Sequence, residues 1–249
     1  MVVCGDRPLA CEAVLVRGRG MKIRVILAEE HHIVREGLMA LLQREQDFDV
    51  VAQARDGMEL VRLAREHDPD VVLVDVVMPR MNGIEAMRRL RAEPLRCKMI
   101  CLSAHAEPHY VGRALEAGAD GYVLKGSTFA ELARGIRRVM GNHLFLSGEL
   151  AGDLLQGRLQ TTKASSARSK GPLYGPVTRL TPRERQMVQL LSEGYSAQQI
   201  ALQLHLSAKT VATHREHVFT KLQIQGIAEL TRFALREGIS TLDAARPNA

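Results

Sequence analysis

From Ile23 to Val139, short apolar runs alternate with stretches whose apolar residues recur at helical spacing. That alternation argues for βα units built on a parallel sheet. Five strands are predicted, Ile23–Ala28, Val50–Ala54, Val71–Asp75, Met99–Leu102 and Gly121–Leu124, several rich in the β-branched residues that suit a sheet covered on both faces. Between them lie covering helices: Ile33–Gln43 carries Val34, Leu38, Leu41 and Leu42 on one face, and Met58–Glu66 carries Leu60, Leu63 and Ala64. After about Leu146 the pattern weakens. Residues 160–176 are rich in Thr, Ser, Lys, Gly and Pro, with too few large apolar groups to fold alone.

Beyond that stretch the signals are purely helical. Thr181-Pro182-Arg183-Glu184 is a capping box with Pro at the first helical position, followed by Met187, Leu190 and Leu191 and ended at Gly194. Ser196 can cap a second helix through Leu204, Ser207 a third through about Leu222, and a fourth covers Ala228–Arg236. The expected architecture is an α/β domain over residues 21–145 with a five-unit doubly wound parallel sheet, a linker over 146–176, and an all-α four-helix domain over 177–240. Residues 1–20 lack helix caps and alternation and read as a disordered extension or an upstream start choice; 241–249 read as a tail.

Composition changes this picture in two ways. The net charge of +6 points to an anionic partner, and because Met21–Phe145 is close to balanced, the positive excess falls in the linker and C-terminal region. Cys4, Cys11, Cys97 and Cys101 form no CxxC pair and read as structural thiols. No uninterrupted apolar run is long enough to span a membrane and residues 1–20 lack a signal-peptide core, so a cytoplasmic protein without membrane contact is expected.

Glu29 and Glu30 follow the first predicted strand and Asp75 ends the third, which brings three carboxylates to the carboxyl edge of one sheet, where open α/β sheets bind ligands. Such a group repels itself unless a cation is bound, and a hard divalent ion such as Mg²⁺ suits it. Ser103 and Lys125 close the fourth and fifth strands and add a hydroxyl and an ammonium to the same edge. Each residue alone is weak evidence, but together they match phosphoryl transfer onto a carboxylate, with Asp75 as nucleophile.

The strings Lys22–Leu38, Asp70–Gly83 and Ala117–Lys125 resemble the receiver domain of response regulators, of flavodoxin-like fold, over about residues 21–140. The resemblance implies phosphorylation of Asp75 by a sensor histidine kinase. It further implies Mg²⁺ held by Glu29, Glu30, Asp75 and the Val77 carbonyl, Ser103 and Lys125 as phosphoryl partners, and Tyr122 as a switch aromatic that also packs on the sheet. Glu30 stands where this family usually has Asp, and one methylene moves a carboxylate by about 1.5 Å, a large step for octahedral Mg²⁺. A regulator that works without phosphate is therefore the alternative. An enzyme is not expected: a phosphohydrolase using Asp75 would need a second acid where Val77 stands.

The third C-terminal helix sets Lys209, Thr210, Thr213, His214, Arg215, His217 and Lys221 between the apolar Val211, Val218 and Leu222, so that one face packs and the other is polar and basic. The region Leu180–Ile239 resembles the LuxR-type helix-turn-helix domain, which together with a receiver implies the NarL/FixJ group of transcription regulators. By that resemblance Ala212, Thr213 and Glu216 face the groove of double-stranded DNA, while Lys209, Thr210, His214, Arg215 and Lys221 mostly meet phosphates. A homodimer on two half-sites is implied. The apolar face of the fourth helix reads equally as a dimer surface or as core. Gln223 departs from a common family Gly, and would take a left-handed cap with some strain or end the helix differently.

Overall fold

The computed structural model describes residues 22–148, 150 and 180–240. The expected extension, most of the linker and the tail lie outside the described residues. The N-terminal part is a parallel sheet with strands β1 (Ile23–Ala28), β2 (Phe48–Ala54), β3 (Val71–Asp75), β4 (Lys98–Ser103), β5 (Gly121–Leu124) and β6 (Phe145–Leu146), in the order β2-β1-β3-β4-β5-β6. Helices α1 (His32–Leu42), α2 (Gly57–His67), α3 (Gly83–Ala92), α4 (Pro108–Glu116) and α5 (Phe129–Met140) alternate with the strands. The direction of winding reverses beside β1, which pairs with β2 on one side and β3 on the other. Two apolar layers result. One holds Ile26, Val72, Met99 and Tyr122 under α2, α3 and α4; the other holds Val25, Leu73, Ile100 and Leu102 under α1 and α5.

Three details differ from the sequence expectation. A sixth strand, β6, pairs in parallel with β5 through Gly121 with Phe145 and Tyr122 with Leu146, a two-residue ladder too short to show a period. β2 begins at Phe48, whose side chain is buried against the α5 side of the sheet. On α1, Val34 stays exposed while Arg35 is buried, because the Arg35 guanidinium donates to the carbonyls of Glu29 at 2.7 Å and Glu30 at 3.3 Å. Those two carbonyls leave the end of β1 without ladder partners, and the buried guanidinium supplies them.

The C-terminal part has α6 (Pro182–Ser192), α7 (Ala197–Leu204), α8 (Ala208–Leu222) and α9 (Ile227–Arg236) around Met187, Leu190, Ile200, Val211, Val218 and Leu230. The capping box at Thr181 and Glu184 forms, and a second forms at Ser196 and Gln199. Ser207 caps α8 through Thr210 N at 3.0 Å. Gln223 does adopt the left-handed cap, with φ of 55°. Leu230, Phe233 and Ala234 of α9 are buried against α6, so that face belongs to the core.

The two parts touch through polar groups. The Gln189 amide of α6 accepts from Asn82 N at 2.9 Å and donates to the Met78 carbonyl at 2.8 Å, gripping the loop between β3 and α3. Arg185 pairs with Glu85 at 3.0 Å, and Arg89 donates to Gln186 at 3.0 Å. Gly238, with φ of 57°, lies so close to the Tyr110 ring that a Cβ there would overlap it.

Candidate functional site

The site sits where the winding reverses, at the carboxyl ends of β1, β3, β4 and β5. Asp75 ends β3 and is buried. Its Oδ2 accepts from Lys125 Nζ at 2.7 Å, and its Oδ1 accepts from Val77 N at 3.2 Å. The same Lys125 ammonium lies 2.7 Å from Glu29 Oε2, an oxygen wholly buried and without a hydrogen bond of good angle, so the contact is ionic. Behind Asp75, the first turn of α3 closes on its carbonyl so tightly that only glycine fits at position 83. Asn82 holds that turn by accepting from Glu85 N at 2.9 Å. The Asn82-Gly83 pair thus braces the Asp75 backbone.

Electrostatics follow from burial. Desolvation, joined by the charge of Glu29, pushes the Asp75 carboxyl up to about 7 against the opposing pull of Lys125. Burial would raise Glu29 too, but Lys125 and the backbone and ring of His31 bring it below its ordinary value. Lys125 is held above its ordinary value: burial disfavours its charge, and the two carboxylates outweigh that. With both carboxylates ionised, above about pH 7, two carboxylates and one ammonium give the pocket a net negative charge and an attraction for a cation.

Of the residues named from sequence, Glu29, Asp75 and Lys125 meet directly. Ser103 stands on the neighbouring strand, where its Oγ accepts from His105 N at 3.0 Å. Tyr122 is fully buried and turned inward, its hydroxyl donating to the His105 carbonyl at 2.8 Å. The His105 ring in turn stacks on Tyr110, with centroids 4.4 Å apart. The donors close enough to share one ion are Glu29, His31 and Asp75, with ligand atoms within 4.8 Å of one another, and Glu30 is not in that group. Sequence reasoning passed over His31, although it directly follows the acidic pair. It also passed over the polar face of α6.

On α8, Lys209, Thr213, Arg215, Glu216 and Lys221 are exposed, whereas Thr210, Ala212 and His214 are half-buried. Two hydroxyls bond back to their own helix: Thr213 Oγ1 lies 3.2 Å from the Lys209 carbonyl to which it donates, and Thr210 Oγ1 lies 2.8 Å from Ser207 Oγ. Lys221 is tied to the buried Glu184 at 2.6 Å. The turn between α7 and α8 is set by His205 in the left-handed conformation, φ 52°.

Residues 25–137 match the response regulator receiver domain, and residues 178–234 match the bacterial regulatory proteins of the luxR family. The chain belongs to the two-component response regulators of NarL/FixJ type, DNA-binding transcription regulators that join a receiver to a LuxR-type helix-turn-helix domain. It is similar to the response regulator UvrY of Escherichia coli K12, 32% identical over 217 residues that cover 87% of this chain and 95% of the relative. LiaR of Bacillus subtilis is 36% identical over 86% of this chain and 97% of its own, and GacA of Pseudomonas aeruginosa is 34% identical over 90% and 99%. Among solved structures, a LuxR-family two-component response regulator from Aurantimonas is 35% identical with a TM-score of 0.53, covering 56% of this chain and 99% of that one. RcsB of Salmonella bound to promoter rprA, at 22% identity over 85% of this chain and 98% of that one, shares the fold with a TM-score of 0.53. Among the described residues no helix is long and apolar enough to cross a membrane.

Proposed function

We propose that a sensor histidine kinase phosphorylates this regulator on Asp75 and that the phosphorylated receiver governs how the helix-turn-helix domain engages double-stranded DNA as a homodimer. A carboxylate oxygen of Asp75 attacks the phosphorus of the donor's phosphohistidine, the P–N bond breaks with its electron pair kept by the imidazole, and an acyl phosphate forms. The observation that carries the reading is a buried carboxylate at the winding reversal with an ammonium 2.7 Å away and a second carboxylate beside that ammonium. Lys125 neutralises phosphoryl charge, and the Ser103 hydroxyl turns to donate to the acyl phosphate. Glu29 and Asp75 fit a divalent cation such as Mg²⁺, with Glu30 and the Val77 carbonyl as the further ligands the family resemblance implies. Such a cation supplies charge neutralisation at the phosphoryl oxygens.

Two routes lead from Asp75 to the DNA-binding domain. One is the loop after β3, which Gln189 grips; the other runs from Ser103 and Tyr122 through His105 to Tyr110, which lies against Gly238. A regulator that works without phosphate is the second reading, favoured by the absence of Glu30 from the group close enough to share an ion. Intact mass after incubation with a small phosphodonor and Mg²⁺ separates the two. A phosphate-sized gain that vanishes in Asp75→Ala and without metal supports phosphorylation; no gain, restored by Glu30→Asp, supports the second reading.

A further inference from the structure

We propose that the cation centre of this receiver is a mixed carboxylate and imidazole site, Glu29, His31 and Asp75, and that it prefers a borderline transition divalent ion such as Co²⁺ or Zn²⁺ to Mg²⁺. The inference rests on the reading of the Asp75 pocket as a cation centre and specifies its ligands and its metal class. Three observations carry it. First, one donor atom from each of the three residues lies within 4.8 Å of the others, and that of His31 is a ring nitrogen. Second, the His31 ring is anchored at the pocket: its Nδ1 lies 2.9 Å from Glu29 Oε1, and its backbone N donates to the same oxygen at 3.0 Å. Third, the other ring nitrogen, Nε2, faces Glu30 Oε1 at 3.8 Å.

That third contact gives Glu30 a role. Metal-ligating histidines commonly give their free ring N–H to a carboxylate, which fixes the tautomer and raises the basicity of the ligating nitrogen. Nδ1 now shares a proton with Glu29 Oε1; a cation would take that proton's place and leave the remaining ring N–H on Nε2, on the side of Glu30. Glutamate at position 30 thus stands behind the imidazole. Arg35 fixes the backbone turn that arranges this, through the Glu29 and Glu30 carbonyls. The wholly buried Glu29 Oε2, in ionic contact with Lys125 but lacking a well-angled hydrogen bond, retains lone pairs for a cation. Imidazole is a poor partner for hard, oxygen-seeking Mg²⁺ and a good one for Co²⁺ or Zn²⁺, so the donor set determines the preference.

Calorimetric titration of the full chain with Mg²⁺ and with Co²⁺, together with the visible absorption of bound Co²⁺, tests this in His31→Gln, Glu30→Gln and Asp75→Asn. His31 begins α1 without capping it through its side chain, so its replacement removes no cap. His31→Gln is expected to weaken Co²⁺ binding by about 10- to 100-fold and shift the Co²⁺ absorption while leaving Mg²⁺ affinity nearly unchanged, and Glu30→Gln to weaken Co²⁺ by about tenfold. If Asp75→Asn weakens both cations but His31→Gln weakens neither, the cation centre stands and the imidazole ligand is overturned. If Asp75→Asn also changes nothing, the cation centre itself falls, and the proposal with it.

Discussion

Lys125 shows how much a single residue can carry at this site. It lies between two carboxylates, and Lys125→Met would leave Asp75 and Glu29 facing each other without a counter-charge. Phosphate gain from a small donor, followed by intact mass, is expected to slow by about 100-fold, the scale on which a single preorganised donor acts. Glu193 carries a pH signature. Burial, with a like-charge contribution from Glu30, pushes its carboxyl from 4.5 up to about 7, against stabilising bonds from Gln189 and the Arg80 backbone. Because its pKa is raised where the domains touch, the docked state holds a proton that a solvated Glu193 would release. The cost of docking is absent below about 4.5 and complete above about 7, so lowering pH from 8 to 6 should favour docking. Small-angle scattering would read this as a smaller radius of gyration, and in Glu193→Gln the change with pH should largely disappear. Asp75, Glu29, Ser103 and Lys125 were legible in the sequence because each ends or follows a recognisable strand. His31 was not, because a histidine after two glutamates looks like any polar turn until the ring is placed in space.

Among the elements, the strands and helix caps were legible because they rest on local chemistry: β-branched runs, and Ser or Thr followed three residues later by Glu or Gln. β6 was hidden by its length. The buried face of α6 was hidden for a different reason, since Gln186, Gln189 and Glu193 look like a solvated stripe and their partners lie about a hundred positions away. On α8 the two lysines should separate. Lys209→Ala is expected to weaken binding on all DNA sequences and to lower the slope of log affinity against log salt by about one. Lys221→Ala leaves the buried Glu184 without its ammonium, so its main effect should be a loss of about 1–3 kcal/mol in the unfolding of the helical domain, measured by urea denaturation. An unchanged salt slope in Lys209→Ala would remove that residue from the phosphate contacts.

For the molecule as a whole, the arrangement of the two domains depends on small groups. Gly238→Ala would force a side chain into the Tyr110 ring from a backbone already in the left-handed region, and is expected to undock the domains without unfolding either. Scattering should then show an expanded particle with the calorimetric transitions of both domains retained. Docking through amides and ion pairs has a consequence for signalling. Hydrogen bonds of this kind each contribute about 1 kcal/mol net, so the docked and open forms differ by an amount small enough for modest inputs to redistribute them. On the proposed reading, a change of about 1.4 kcal/mol transmitted from Asp75 would alter the open fraction up to tenfold, and no large energy input would be needed to reverse it. Domains held by a few amide and ion-pair contacts would respond in proportion to their input, as a dial does, and the output would follow a fading signal back down.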